Sequence, residues 1–193
     1  MNNLKPGDII LYKGSRWLSR AIRYFMNKYR KKLGLPNREL FSHAAMVISI
    51  WGKLYVAEAI GNGITIRPYD VTYANKKNKI KILTPKKAYT KKEQDNISTI
   101  AVAYALEPTR YDFFNFLFQI DMIRKQTKYS DKKWAGPVGK KAEKRLYCTE
   151  AVATWANKVR PNTFDKPWTV NPVDVDINKY YKVLYNGITK QGS

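Results

Sequence analysis

The sequence predicts an α+β domain in which an antiparallel sheet of four to six strands packs against helices. Three observations predict it. Short apolar runs bounded by turn residues fill the first half of the chain, and helical periodicity of apolar residues fills the second. The 193 residues, 44% hydrophobic and 13% aromatic, suffice for one packed core, and no internal repeat or low-complexity linker divides them. The whole of 1–193 therefore reads as a single domain.

Lys5-Pro6-Gly7-Asp8 is turn chemistry, and Ile9–Tyr12 behind it reads as a short buried strand. Trp17, Leu18, Ala21, Ile22 and Phe25 then recur at helical spacing, with Arg16, Arg20, Arg23 and Lys28 on other faces. Gly34, Pro36 and Asn37 end that helix. Residues 41–51 are strand-like, with His43 near the start. Gly52-Lys53 reads as a hairpin turn into strand 54–59, and Gly61-Asn62-Gly63 as a second turn before strand 64–66. A lysine-rich loop around Lys76, Lys77 and Lys79 precedes a short strand over 80–83.

Thr90-Lys91-Lys92-Glu93 is a capping box, and Ile97, Ile100, Ala101, Tyr104 and Ala105 mark one face of the helix it opens. Pro108 stops this helix. An aromatic-rich helix is expected over 113–123, followed by a basic loop or insertion at about 125–145 that carries Gly136-Pro137 and Gly139. Cys148, Val152, Trp155 and Val159 fall on one stripe of a further helix, which Pro161 ends. A final apolar segment covers 180–185.

The formal charge of +21 suits polyanionic partners: nucleic acid, anionic lipid or an acidic polymer. A solvated basic surface that serves solubility fits the same number. With one cysteine and one histidine, the chain has no intramolecular disulfide and no metal site of several cysteines or several histidines. No metal or organic cofactor is implied. No apolar run has the length of a signal h-region or a membrane span. The chain reads as soluble, cytoplasmic or virion-associated.

Cys148 stands where the basic stretch gives way to an amphipathic helix, which predicts a place in the first turn. There, free backbone amides and the helix dipole favour a thiolate, and the same amides suit the oxyanion of a tetrahedral intermediate. His43 is the only imidazole that can serve as its base. Glu58, a carboxylate in the apolar run Tyr55-Val56-Ala57-Glu58-Ala59, suits the third position that fixes the imidazole tautomer. A Gly52-Lys53 turn pairs Trp51 with Leu54 and Val47 with Glu58, which carries His43 past Glu58. A bulge, a longer turn or a diagonal contact has to close that gap. Position alone also fits a structural cysteine packed as a small hydrophobe, a structural histidine and an edge carboxylate.

Three segments in order resemble the permuted branch of the papain-like NlpC/P60 superfamily, the YiiX/YaeF-type amidase-like proteins related to lecithin–retinol acyltransferases. The first is Leu4-Lys5-Pro6-Gly7-Asp8-Ile9-Ile10-Leu11. The second is Phe41-Ser42-His43-Ala44-Ala45-Met46-Val47-Ile48 with Val56-Ala57-Glu58-Ala59 and Gly61-Asn62-Gly63-Ile64. The third is Tyr147-Cys148-Thr149-Glu150-Ala151-Val152. The order His before Cys marks the permuted branch. The segment Pro108-Thr109-Arg110-Tyr111-Asp112 is similar to the family's Tyr-Asp segment.

The resemblance implies a circularly permuted papain-like fold with Cys148 as nucleophile, His43 as base and Glu58 as orienting residue. It also implies substrate contacts at Glu150 and Tyr111, with helix capping the alternative for Glu150. The expected activity is a cysteine hydrolase or acyltransferase acting on an amide or acyl ester of a peptide, cell-wall or lipid substrate. The rival is a non-catalytic basic module, or virion structural protein, that binds nucleic acid or another polyanion. Action at an anionic membrane surface is a third possibility.

Overall fold

A computed structural model describes residues 3–74, 79–107, 110–111 and 145–189. The elements run β1 (Ile9–Tyr12), α1 (Trp17–Lys32), β2 (His43–Ile50), β3 (Lys53–Ile60), β4 (Gly63–Pro68), a π-helical turn (Asp70–Ala74), β5 (Lys79–Pro85) and α2 (Lys91–Leu106). The two-residue strands β6 (Arg110–Tyr111) and β7 (Arg145–Leu146), then α3 (Cys148–Val159), α4 (Pro172–Asp176) and β8 (Tyr181–Ile188) follow. The expected helix over 113–123 and nearly all of the basic insertion lie outside the described residues.

Six strands form one sheet in the order β4-β3-β2-β1-β5-β8, every neighbouring pair antiparallel. The α+β architecture is thus the one the sequence predicts, at the upper end of the expected strand number. Alternation sends the side chains of each central strand to two cores. Ile9, Leu11, Ala44, Met46, Ile48 and Ala57 face α2 and α3, where Ile97, Val152 and Trp155 meet them. Ile10, Ala45, Val47, Val56, Ile80 and Ile82 face Tyr69 and Tyr73 around the π-helical turn.

Local chemistry explains the ends of these elements. Gly7 has φ +94°, and a Cβ there would stand 2.4 Å from the Tyr89 ring, so only glycine lets the entry to β1 lie against α2. The Thr90 hydroxyl accepts from the Glu93 amide at 3.3 Å while the Glu93 carboxylate accepts from the Thr90 amide at 2.7 Å, the expected capping box.

Two sequence expectations are corrected. The β2–β3 turn is Trp51-Gly52, not Gly52-Lys53: both residues have positive φ, 49° and 76°, and Ile50 pairs with Lys53. Such a turn matches the twist of the strands it joins. Trp17 does not share the buried face of α1. It is 78% exposed, and the helix buries Ile22 and Met26 against Val173 of α4.

Candidate active site

His43 is the first residue of β2, and Glu58 is near the end of β3. The observed register pairs Val47 with Val56 and Met46 with Ala57. Continued one step, it sets Ala45 beside Glu58, so His43 and Glu58 share a face and meet diagonally. His43 Nε2 lies 2.6 Å from Glu58 Oε2. A diagonal contact and a turn displaced by one residue thus close the gap left by counting from Gly52-Lys53.

Cys148 is the first residue of α3, as its position in the sequence predicts. Cys148 is 4% exposed, and His43 and the backbone N–H groups of Ala44 and Thr149 bear on its sulfur. Burial opposes the thiolate. The His43 imidazolium and these two amides outweigh it, and the thiol pKa is lowered. Burial likewise opposes the imidazolium, but the thiolate and Glu58 outweigh it and raise the His43 pKa. Both directions favour the thiolate–imidazolium pair.

Glu58, 2% exposed, is held by more than His43. Burial pushes its pKa up, yet His43 and Arg67 together bring it down to about 2. Arg67 Nε donates to Oε1 at 3.1 Å, with Nη2 of the same guanidinium on the same oxygen, and the Tyr73 hydroxyl donates to Oε2 at 3.1 Å. Thiolate, imidazolium, carboxylate and guanidinium therefore follow one another in alternating sign, with zero net charge.

Arg67 and Tyr73 were not singled out from sequence. One signal for Arg67 is available: β4 pairs Glu58 with Thr65 and Val56 with Arg67, so alternation outward from the Gly61-Asn62-Gly63 turn puts Arg67 on the side of Glu58.

Glu150 stands in the first turn of α3. It is 3% exposed, and its Oε2 accepts from the Tyr147 amide at 3.4 Å, as an acidic residue in the first turn of a helix does. That contact fits the helix-capping alternative for Glu150. The backbone of Tyr111 pairs with Leu146 in the parallel β6–β7 ladder, and Leu146 stands two residues before Cys148.

A cleft of about 480 Å³ opens over His43 and Glu58. Leu18, Ile22, Ala59 and Ile60 give it apolar walls, and Arg16 and Arg67 also line it. That volume is in the range of small-ligand sites.

No protein-family model matches the chain, and no curated protein sequence matches it. Among solved structures it is similar to the crystal structure of the metalloprotein YiiX from Escherichia coli O157:H7, DUF1105. The TM-score is 0.64 at 18% identity, covering 95% of this chain and 97% of that one. The two share their fold over nearly their full lengths, and the chain has a YiiX-like α+β fold.

Proposed function

We propose that the chain is a cysteine hydrolase or acyltransferase of the permuted papain-like NlpC/P60 type, acting on an amide or acyl ester bond. The observation that carries this reading is the meeting of the only thiol with the only imidazole, whose Nε2 is fixed 2.6 Å from a buried carboxylate. Unique residues far apart in sequence, joined at a helix N-terminus in an order that favours charge separation, are what nucleophilic catalysis by a thiol requires.

The Cys148 thiolate attacks the carbonyl carbon, forming a C–S bond as the carbonyl π electrons move to oxygen. On collapse of the tetrahedral intermediate the bond to the leaving nitrogen or oxygen breaks, and His43 delivers its proton to that atom. A thioester remains on Cys148. Water, or an acceptor amine or alcohol, then attacks with His43 as base, and the thiolate leaves. Glu58 touches no reacting atom; it positions the imidazole and stabilises its charge.

YiiX is described as a metalloprotein, and the described residues here do not fit a metal. Among the described residues no group of three or more His, Cys, Asp or Glu side chains could hold one. Glu58 occupies Nε2 of His43, which leaves Nδ1 for Cys148, so these three groups do not converge on a point. No step is routed through a metal.

The test is the thiolate absorbance of the intact protein across pH, in wild type and in His43→Ala. The expected wild-type thiol titrates well below the ~8.5 of a free cysteine, and His43→Ala raises it. Amide and acyl ester substrates should then be turned over by wild type and not by Cys148→Ala. A thiol titrating like free cysteine in both proteins would falsify this reading and favour the non-catalytic polyanion-binding module.

A further inference from the structure

The surface of α1 that turns away from the core carries a pattern the thiol chemistry does not use. Trp17, Arg20, Tyr24, Lys28 and Lys31 follow one another at spacings of three and four residues, and all five are exposed. At ~100° per residue they fall within an arc of about 80°. Ile22, Met26 and Arg30, which α1 buries, lie on the opposite side. The stripe alternates aromatic rings with cations over about 20 Å of helix. Trp17 is 78% and Tyr24 57% exposed, and the Lys28 ammonium lies 4.8 Å over the Tyr24 ring.

No acidic residue occurs in α1, and none of these three cations makes an ion pair among the described residues. The N-terminal turns of the same helix form one wall of the cleft over His43 and Glu58 through Arg16, Leu18, Ser19 and Ile22.

We propose that this face of α1 docks the protein on an anionic phospholipid surface, with Trp17 and Tyr24 seated at the headgroup level and Arg20, Lys28 and Lys31 paired with lipid phosphates and carboxylates. Amphipathic rings flanked by lysine and arginine are what the membrane interface accepts. Each cation near an anionic leaflet adds attraction, and the charge of +21 draws the whole molecule toward it. Stacking on single-stranded nucleic acid asks for the same residue types. The Lys28 ammonium over the Tyr24 ring decides for the lipid, since it takes a ring face on which a base would stack, whereas a headgroup interface accepts a ring paired with a cation.

The experiment is sedimentation of the intact protein with phosphatidylcholine vesicles, with and without phosphatidylserine, alongside a single-stranded RNA oligonucleotide as competitor. Wild type should bind the phosphatidylserine vesicles and leave the neutral ones in solution. Arg20→Gln and Lys28→Gln should each weaken binding about fivefold. Trp17→Ala should weaken it comparably while its circular dichroism stays that of wild type. Cys148→Ala should bind as wild type does, so loss of the thiol chemistry and loss of docking are separable. Equal binding to both vesicle types, no effect of Trp17→Ala, or displacement by RNA at concentrations below those of the lipid overturns the proposal.

Discussion

Glu58 accepts from a histidine, an arginine and a tyrosine while almost wholly removed from water. A buried carboxylate is tolerated only when it is so compensated, and the compensation is what lets it hold an imidazolium. Two variants separate these roles. Glu58→Gln keeps the shape and removes the charge, so the imidazolium loses a partner and the Cys148 thiol pKa should rise, with a fall in kcat at neutral pH. Tyr73→Phe leaves the charge and removes one donor. It should cost on the order of 2 kcal/mol in denaturant unfolding, with a much smaller shift of the thiol. Equal thiol shifts in both variants would show that packing, not charge, sets the sulfur's ionisation. Cys148, His43 and Glu58 were legible because two of them are unique and the third interrupts an apolar strand. Arg67 is one of 36 basic residues and Tyr73 one of 14 tyrosines. Their importance lies in a diagonal register and a π-helical turn, which residue type does not announce.

At the scale of the element, local chemistry marks where helices begin, while the face a helix buries is set by tertiary contact. The capping box of α2 and the start of α3 are local and stood in the sequence. The face that α1 buries depends on α4, a five-residue helix with no periodicity to read. Asp174 joins the two: it accepts from the Tyr29 hydroxyl at 3.1 Å and from the Asn171 amide at 3.0 Å. Burial outweighs both hydrogen bonds and raises the Asp174 pKa from 3.8 to about 6. A carboxyl raised on folding favours the protonated native state, so its contribution is complete below 3.8 and is lost as pH rises through about 6. Amide hydrogen exchange of α1 and α4, corrected for intrinsic rates, should therefore report tighter docking on the acid side of that value, by on the order of 3 kcal/mol at most. Asp174→Asn should remove the dependence. Protection that grows instead with rising pH would mean that the carboxylate, not the acid, holds the two helices together.

At the scale of the whole molecule, the helical layer is tied together by a residue with no sequence signal. Arg160, at the C-terminal cap of α3, reaches the N-terminus of α2. Its Nε and Nη2 donate to the two carboxylate oxygens of Glu93 at 2.7 and 2.8 Å, other donors reach the carbonyls of Lys87 and Ala88, and its guanidinium stacks 4.2 Å from the Tyr89 ring centroid. Glu93 thus serves the capping box and this clamp at once, and Arg160, ahead of the Thr90 amide and hydroxyl, holds its pKa down to about 2. Glu58 at the far site is lowered to about the same value. A carboxyl lowered on folding adds stability above its unfolded value of 4.5, and that stability disappears as pH falls from there toward 2. Over the same interval the already cationic chain gains further positive charge, so self-repulsion acts in the same direction. Salt separates the two contributions, because it screens the diffuse repulsion far more than the buried Glu58 pair. Thermal unfolding followed from neutral pH to about pH 2 should show Tm falling below 4.5 at low salt, with only part of the fall recovered at high salt. Glu93→Gln should lower Tm at neutral pH and flatten the acid limb. A wild-type acid limb abolished by salt alone would assign acid unfolding to net charge and deny the two carboxylates their part in it.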